Sequence, residues 1–163
     1  MAFLRAELVR RIKTIDTHIA HLDEAIASRI AADPLLARRH AILLSIPGIG
    51  AVTAAALLIG LHEIGSCTAK QAAMLAGLAP VACDSGDRSG QRHIRGGRAQ
   101  VRTGIYMAAL TAARVNPNLA TFYKRLRTAG KPAKVALTAV MRKLVVLANT
   151  LIKEDRTWRP IFS

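Results

Sequence analysis

The chain has 163 residues, room for one domain with or without an arm. Lys and Arg number 24 against 10 acids, and a net charge of +14 points to a polyanion partner: DNA, RNA or an anionic membrane surface. A disordered basic tail is excluded, because 52% of the chain is hydrophobic and the mean hydropathy is +0.26.

Aromatics make up only 4%, so the apolar content is largely Ala, Leu, Ile and Val, a mix that favours helices. Phe3 to Ala32 reads as one long helix. Ile12, Ile19 and Ile26 take a positions and Leu8, Ile15 and Leu22 take d positions. β-Branched a positions with Leu at d favour a parallel two-stranded coiled coil. Three heptads fit equally well a long helix packed on its own chain. Asp33-Pro34 ends this helix, and Leu35 to Leu44 begins another.

Ala41 to Leu61 runs 21 residues without a charge, long enough to span a bilayer. Ile46-Pro47-Gly48-Ile49-Gly50 would break such a helix at mid-membrane, and no Trp or Tyr belt flanks it. Two short buried helices joined by a tight turn are expected, and no membrane association. The N-terminus becomes charged at once, with no apolar leader core. Pro47-Gly48-Ile49-Gly50 followed by an apolar helix looks like a helix-hairpin-helix element. In such an element Gly48 and Gly50 would let backbone N–H groups approach a phosphate. A plain helical corner is the alternative.

Thr68 to Leu78 is a further helix with Thr68 as N-cap. Residues 80–97 then lose all periodicity and read as a Gly- and Arg-rich loop rather than an element. Arg98 to Val115 is helical, with Val101, Ile105, Ala108, Ala109 and Ala112 on one face. Asn116-Pro117-Asn118 turns into a short helix, Leu119 to Ala129, and Gly130-Lys131-Pro132 turns again. Ala133 to Lys153 is the last helix, with Val140, Leu144, Leu147 and Leu151 inside. The fold class is all-α: a helical bundle (41–163) preceded by a coiled-coil-like arm (1–40).

The charge is a block. Residues 1–87 hold eight basic and eight acidic residues; residues 88–143 hold thirteen basic residues and no acid. Arg88, Arg92, Arg95, Arg98 and Arg102 cluster first, and Lys124, Arg125, Arg127, Lys131 and Lys134 second. A solvated face ordinarily intersperses acids; their absence favours phosphate contact. Arginine in the first cluster suits bidentate phosphate recognition.

Ser85 lies beside these arginines. A serine hydroxyl is a weak nucleophile without a base, a metal or positive charge nearby, and arginines would stabilise the charge of a phosphoryl transition state. By composition alone Asp84-Ser85-Gly86 is an ordinary turn.

From Leu44 to Trp158, about two-thirds of the chain, an ordered set of words carries a more specific signal. They are Ser45-Ile46-Pro47-Gly48-Ile49-Gly50, Ala76-Gly77-Leu78-Ala79-Pro80, Asp84-Ser85-Gly86, Ile94-Arg95-Gly96-Gly97-Arg98, Tyr106-Met107-Ala108-Ala109-Leu110, Asn116-Pro117, Phe122-Tyr123 and Met141-Arg142-Lys143-Leu144. In these the chain resembles the C-terminal domain of the IS-one-ten family of bacterial insertion-sequence transposases, bridge-RNA-guided recombinases, and within it the IS-eleven-eleven subgroup. The resemblance implies that Ser85 is the DNA-attacking nucleophile, with Arg95 and Arg98 near the same phosphate. Where the family has an aromatic-Arg-Gly word this chain has Arg88-Ser89-Gly90, which leaves Ser89 as a second candidate. The family also carries an N-terminal RuvC-like domain with four metal-binding acids. Asp16, Asp23, Glu24 and Asp33 lie on or at the end of a helix and do not match it. The resemblance therefore implies a fragment. Its expected partners are DNA, a structured guide RNA and further copies of itself, and it would cut poorly or not at all alone. No cofactor is expected in this chain, and magnesium would come from the acidic domain. The rival reading is a non-catalytic helix-hairpin-helix module for DNA or RNA.

Other residues are expected to be structural. His18 and His21 lack a third ligand in view and read as surface histidines. His93 reads as a phosphate contact, and Cys83 as a small buried side chain. Tyr106 and Tyr123 read as core, and Trp158 as an anchor for the C-terminal tail. Two cysteines, Cys67 and Cys83, in no metal or redox spacing fit a reducing cytoplasm, here that of a bacterium at its nucleoid.

Overall fold

A computed structural model of the chain describes residues 1–81 and 93–160. Ser85, Arg88, Arg92, Cys83 and Ser89 lie outside those residues. The chain divides into two compact units, residues 1–37 and 38–163.

The first unit is built on α1 (Ala2–Ala31), close to the helix expected over Phe3 to Ala32. None of its residues is buried, and the six a and d side chains are exposed. His18 and His21 are exposed too. Asp33 Oδ1 accepts from the N–H groups of Leu35 (2.9 Å) and Leu36 (3.1 Å), capping α2 (Pro34–Leu44) at its start.

The second unit is a helical bundle. Alongside the C-terminal part of α2 it contains α3 (Ala51–Gly60), α4 (Ala69–Leu75), α5 (Ala99–Val115), α6 (Pro117–Thr128) and α7 (Ala133–Lys153). The 21-residue apolar stretch is divided between α2 and α3, as its Pro-Gly interruption predicts. α5 packs on α3, α6 and α7, and α4 on α7. The core is aliphatic: Ile42, Leu43 and Ile46 meet Leu57, Leu61, Ile105, Val140, Leu144 and Leu151. The five residues predicted for the inner face of α5 are all buried. On α7, Val140, Leu144 and Leu151 are buried and Leu147 is partly buried. α7 is the one described helix long and apolar enough to cross a membrane, and more than half of its apolar window is buried within the bundle. That burial accounts for its hydropathy.

Local chemistry fixes the boundaries. Thr68 caps α4 in a reciprocal capping box with Gln71. The helix ends at Leu75, three residues before the expected Leu78, because the chain turns at Gly77 with φ +67°. Asn116 caps α6 through Leu119 N–H (3.2 Å), and Pro117 occupies the first turn, where a missing N–H costs nothing. Asn149 (3% exposed) ties α7 to the α3–α4 connection. Its Oδ1 accepts from Gly65 N–H (2.8 Å) and the Cys67 thiol (3.2 Å), and its Nδ2 donates to Cys67 C=O (2.9 Å).

Two expectations need correction. The 80–97 segment is not wholly irregular: β1 (Pro80–Val81) and β2 (His93–Ile94) form an antiparallel pair, Pro80 opposite Ile94 and Val81 opposite His93. Two-residue strands are too short for periodicity to reveal. Tyr106 is not core: it stands 41% exposed on the outer face of α5, while Tyr123 packs partly buried against the core.

Candidate nucleic-acid interface

The β1–β2 pair closes the neck of the segment that contains Ser85. Two sequence words far apart in the chain build this neck. Arg98 N–H donates to Leu75 C=O (2.8 Å), fastening the start of α5 to the end of α4. Gly77 and Gly97, both at positive φ, press backbone on backbone. A Cβ on Gly97 would stand within 3.0 Å of Gly77 N, Gly77 Cα and Leu75 O; one on Gly77 would meet Gly96 O and the Arg102 guanidinium. Arg102 also donates to Gly96 C=O (2.8 Å).

Arg98 makes three side-chain hydrogen bonds. Its guanidinium forms a fork on Glu63 (2.5 and 2.6 Å) and donates to Gly60 C=O (3.0 Å). This bidentate bond holds the Glu63 carboxyl well below the ordinary carboxylate range, at about 2, and raises Arg98 further. Arg98 therefore anchors the neck to the end of α3. Glu63 was not visible as a partner, because nothing in the pattern around His62-Glu63 points across 35 residues. Arg95 and His93 are exposed, and Arg95 makes no side-chain hydrogen bond among the described residues.

The predicted phosphate-approach glycines differ. A Cβ on Gly48 would stand within 3.0 Å of the Ala112 backbone, so its φ of +107° serves the packing of the turn on α5. Gly50, the N-cap of α3, faces open space.

Lys124, Arg125, Arg127, Lys131 and Lys134 are all exposed, along α6 and the turn into α7. None has a carboxylate within 4.0 Å among the described residues. Arg125 and Lys143 flank the Phe122 ring at 5.4 and 4.5 Å. One residue of the second basic cluster, Lys134, comes close to the β1–β2 pair in the fold. Lys134 and Arg142 line a cavity of about 350 Å³ with Pro80, His93 and Ile94, beneath the neck. Arg142 was missed as a site residue; its place in the Met141-Arg142-Lys143-Leu144 word was the available signal. No three His, Cys, Asp or Glu side chains come together among the described residues.

The fold and this site define a class: a helical domain presenting exposed cations without carboxylate partners, and a glycine-pinned neck. The sequence profile of the Transposase IS116/IS110/IS902 family matches residues 40–124. The chain is 33% identical over 160 residues to the IS900 insertion element 42 kDa protein of Mycobacterium paratuberculosis, covering 95% of this chain and 39% of that one. It is 33% identical over 142 residues to the pilin gene-inverting protein of Moraxella bovis, covering 85% and 44%. It is 31% identical over 135 residues to the IS110 insertion element 43.6 kDa protein of Streptomyces coelicolor, covering 82% and 32%. The chain belongs to the IS116/IS110/IS902 transposase family, and it spans less than half the length of these relatives.

Proposed function

We propose that this chain is the DNA-binding, serine-nucleophile part of a transposase of its family. The observation that carries the reading is the neck. Two family words, around Gly77 and Gly97, are fastened to each other on either side of the segment bearing Ser85. In this reading Ser85 Oγ attacks a DNA phosphorus and its proton ends on the departing deoxyribose oxygen. One phosphodiester bond is exchanged for a phosphoserine bond, which a second strand's hydroxyl then reverses. No net energy input is needed, because each ester replaces another. Arg95 and Arg102 stand nearest to supply charge at the neck, and Arg98 positions it through Glu63. Lys124, Arg125, Arg127, Lys131 and Lys134 hold flanking phosphates. Magnesium, when bound by an acidic RuvC-like domain, would supply charge neutralisation at the reacting phosphate. A guide RNA and a homo-oligomer joined through α1 complete the proposal. The relative named as a pilin gene-inverting protein supports a recombination role.

The test is a covalent adduct. The chain, supplied with the N-terminal portion of a full-length relative and end-labelled DNA, is resolved under denaturing conditions. The wild type should retain label and Ser85→Ala should not. An adduct in Ser85→Ala would refute the assignment to Ser85 and move the test to Ser89. DNA binding with no adduct in any variant would favour the non-catalytic binding module.

A further inference from the structure

A second cavity, of about 610 Å³, opens between α6, α7 and the tail that follows α7. Its volume falls in the range of sites for small organic groups. Phe122, Leu119, Leu147 and Trp158 give it an apolar and aromatic wall. Arg142, Lys143, Arg156 and Arg159 add positive charge, and no acid lines it. Arg156 is bonded to Glu154, whereas Arg142, Lys143 and Arg159 have no carboxylate partner among the described residues.

The tail is fastened in place. Arg38 bonds the Asp155 carboxylate (2.8 Å) and its carbonyl (2.7 Å), and Trp158 N–H donates to Ser45 Oγ (2.8 Å). Trp158 is thereby held as a wall.

The decisive feature is Asn116. It is fully buried and lines this cavity, and its Oδ1 is committed to the α6 N-cap. Its Nδ2 is a buried donor with no partner among the described residues. A buried amide left unpaired costs stability unless a ligand completes it.

We propose that this cavity is a nucleobase pocket, which takes one unstacked base of the bound nucleic acid strand. The inference rests on the nucleic-acid reading above and adds a specific subsite to it. Arg125 and Lys143 already flank Phe122, so Trp158 is the ring that offers a face to a base, while Arg142 and Arg159 meet its flanking phosphates. The lone donor selects a carbonyl-bearing base edge, as on thymine, cytosine or guanine. Arg142 and Ala139 line both this cavity and the one beneath β1–β2. A phosphate next to the seated base therefore meets Arg142 on the way to the neck. An apolar peptide would leave the cations unmatched, and a free phosphate would leave the aromatic wall unused.

Trp158 is the only tryptophan, so its emission reports this cavity directly. The full chain is titrated with a fluorescein-labelled single-stranded thymidine oligomer and with an abasic oligomer of equal length and charge. Polarisation reads binding to the basic surface; Trp158 emission reads the pocket. Both oligomers should bind, and only the base-bearing one should quench Trp158 saturably. Asn116→Asp keeps the N-cap acceptor and removes the donor. It should weaken the base-bearing oligomer about tenfold more than the abasic one. Equal quenching by both oligomers, or an Asn116→Asp effect equal for both, overturns the pocket. If neither oligomer binds, the nucleic-acid reading fails, and the pocket is read with thymidine 5′-monophosphate alone. A saturable quench lost in Asn116→Asp sustains it; no quench at millimolar nucleotide refutes it.

Discussion

Replacing Asn149 by alanine should destabilise residues 38–163 more than any other single polar change in the bundle. The side chain makes three hydrogen bonds to the α3–α4 connection, two with its oxygen and one with its nitrogen. Asn149→Ala strands the Gly65 N–H and the Cys67 C=O at a half-closed position and leaves the Cys67 thiol free. Each stranded backbone group costs about 1 to 2 kcal/mol, toward the low side because water reaches the connection. The lost thiol contact and the small void add about 1 kcal/mol, so the expected loss is about 3 to 4 kcal/mol. For a chain of this size that lowers Tm by about 6 to 16 °C. Urea unfolding followed by Trp158 emission is the right assay, because it reports this unit and is blind to α1. The midpoint should fall while the slope stays constant. Cys67→Ala, which removes the thiol alone, should cost about 1 kcal/mol or less. A loss under about 1 kcal/mol for Asn149→Ala would refute the reasoning: the three bonds would then be exchanged for water without penalty.

The neck makes its own prediction. Gly97→Ala places a Cβ within 3.0 Å of three backbone atoms at φ +65°. The backbone conformation alone costs about 1 to 2 kcal/mol. Hydrogen exchange at the Arg98 amide should accelerate about tenfold or more; unchanged exchange would show that the neck is not pinned there. The Glu63–Arg98 pair predicts acid sensitivity. Glu63 titrates at about 2 when folded instead of 4.5. Its contribution is complete above pH 4.5 and is lost as pH falls toward 2. Arg98→Gln should flatten the urea midpoint against pH in that window, and parallel curves would contradict the pairing. Duplex DNA affinity should fall steeply with salt, and Lys124→Gln should reduce the logarithmic slope by about 1; a flat dependence would sink the phosphate assignment. The exposed a and d stripe of α1 should make mass by light scattering rise with concentration, and a strict monomer throughout would exclude self-pairing.

The bundle was legible because its signals are local and strong. Pro132 marks a helix start by chemistry that acts within one turn, whereas α6 begins at Pro117, two residues before the expected Leu119, because Asn116 caps it. The inner face of α5 shows a 3.6-residue period that nothing interrupts. The site was legible only as composition: an acid-free run and a set of words. What joins those words is tertiary. Glu63 meets Arg98, Gly77 meets Gly97, and Arg142 meets His93 and Pro80 only after α4, α5 and α7 have packed. The fold adds a structural contact to two of the expected site residues: Gly48 packs on Ala112, and Arg98 forks on Glu63.

Those contacts bear on how such a domain handles a phosphate chain. The fork on Glu63 and the bond to Gly60 C=O use three of the five guanidinium N–H groups of Arg98, and the carboxylate offsets its charge. Arg98 thus adds rigidity to the neck, whereas Arg95, Lys134 and Arg142 have no carboxylate partner among the described residues. Arg98 can therefore act through the geometry of the neck or through its charge. Arg98→Lys distinguishes the two roles. It keeps the charge and breaks the fork, so it should impair the neck almost as much as Arg98→Gln does.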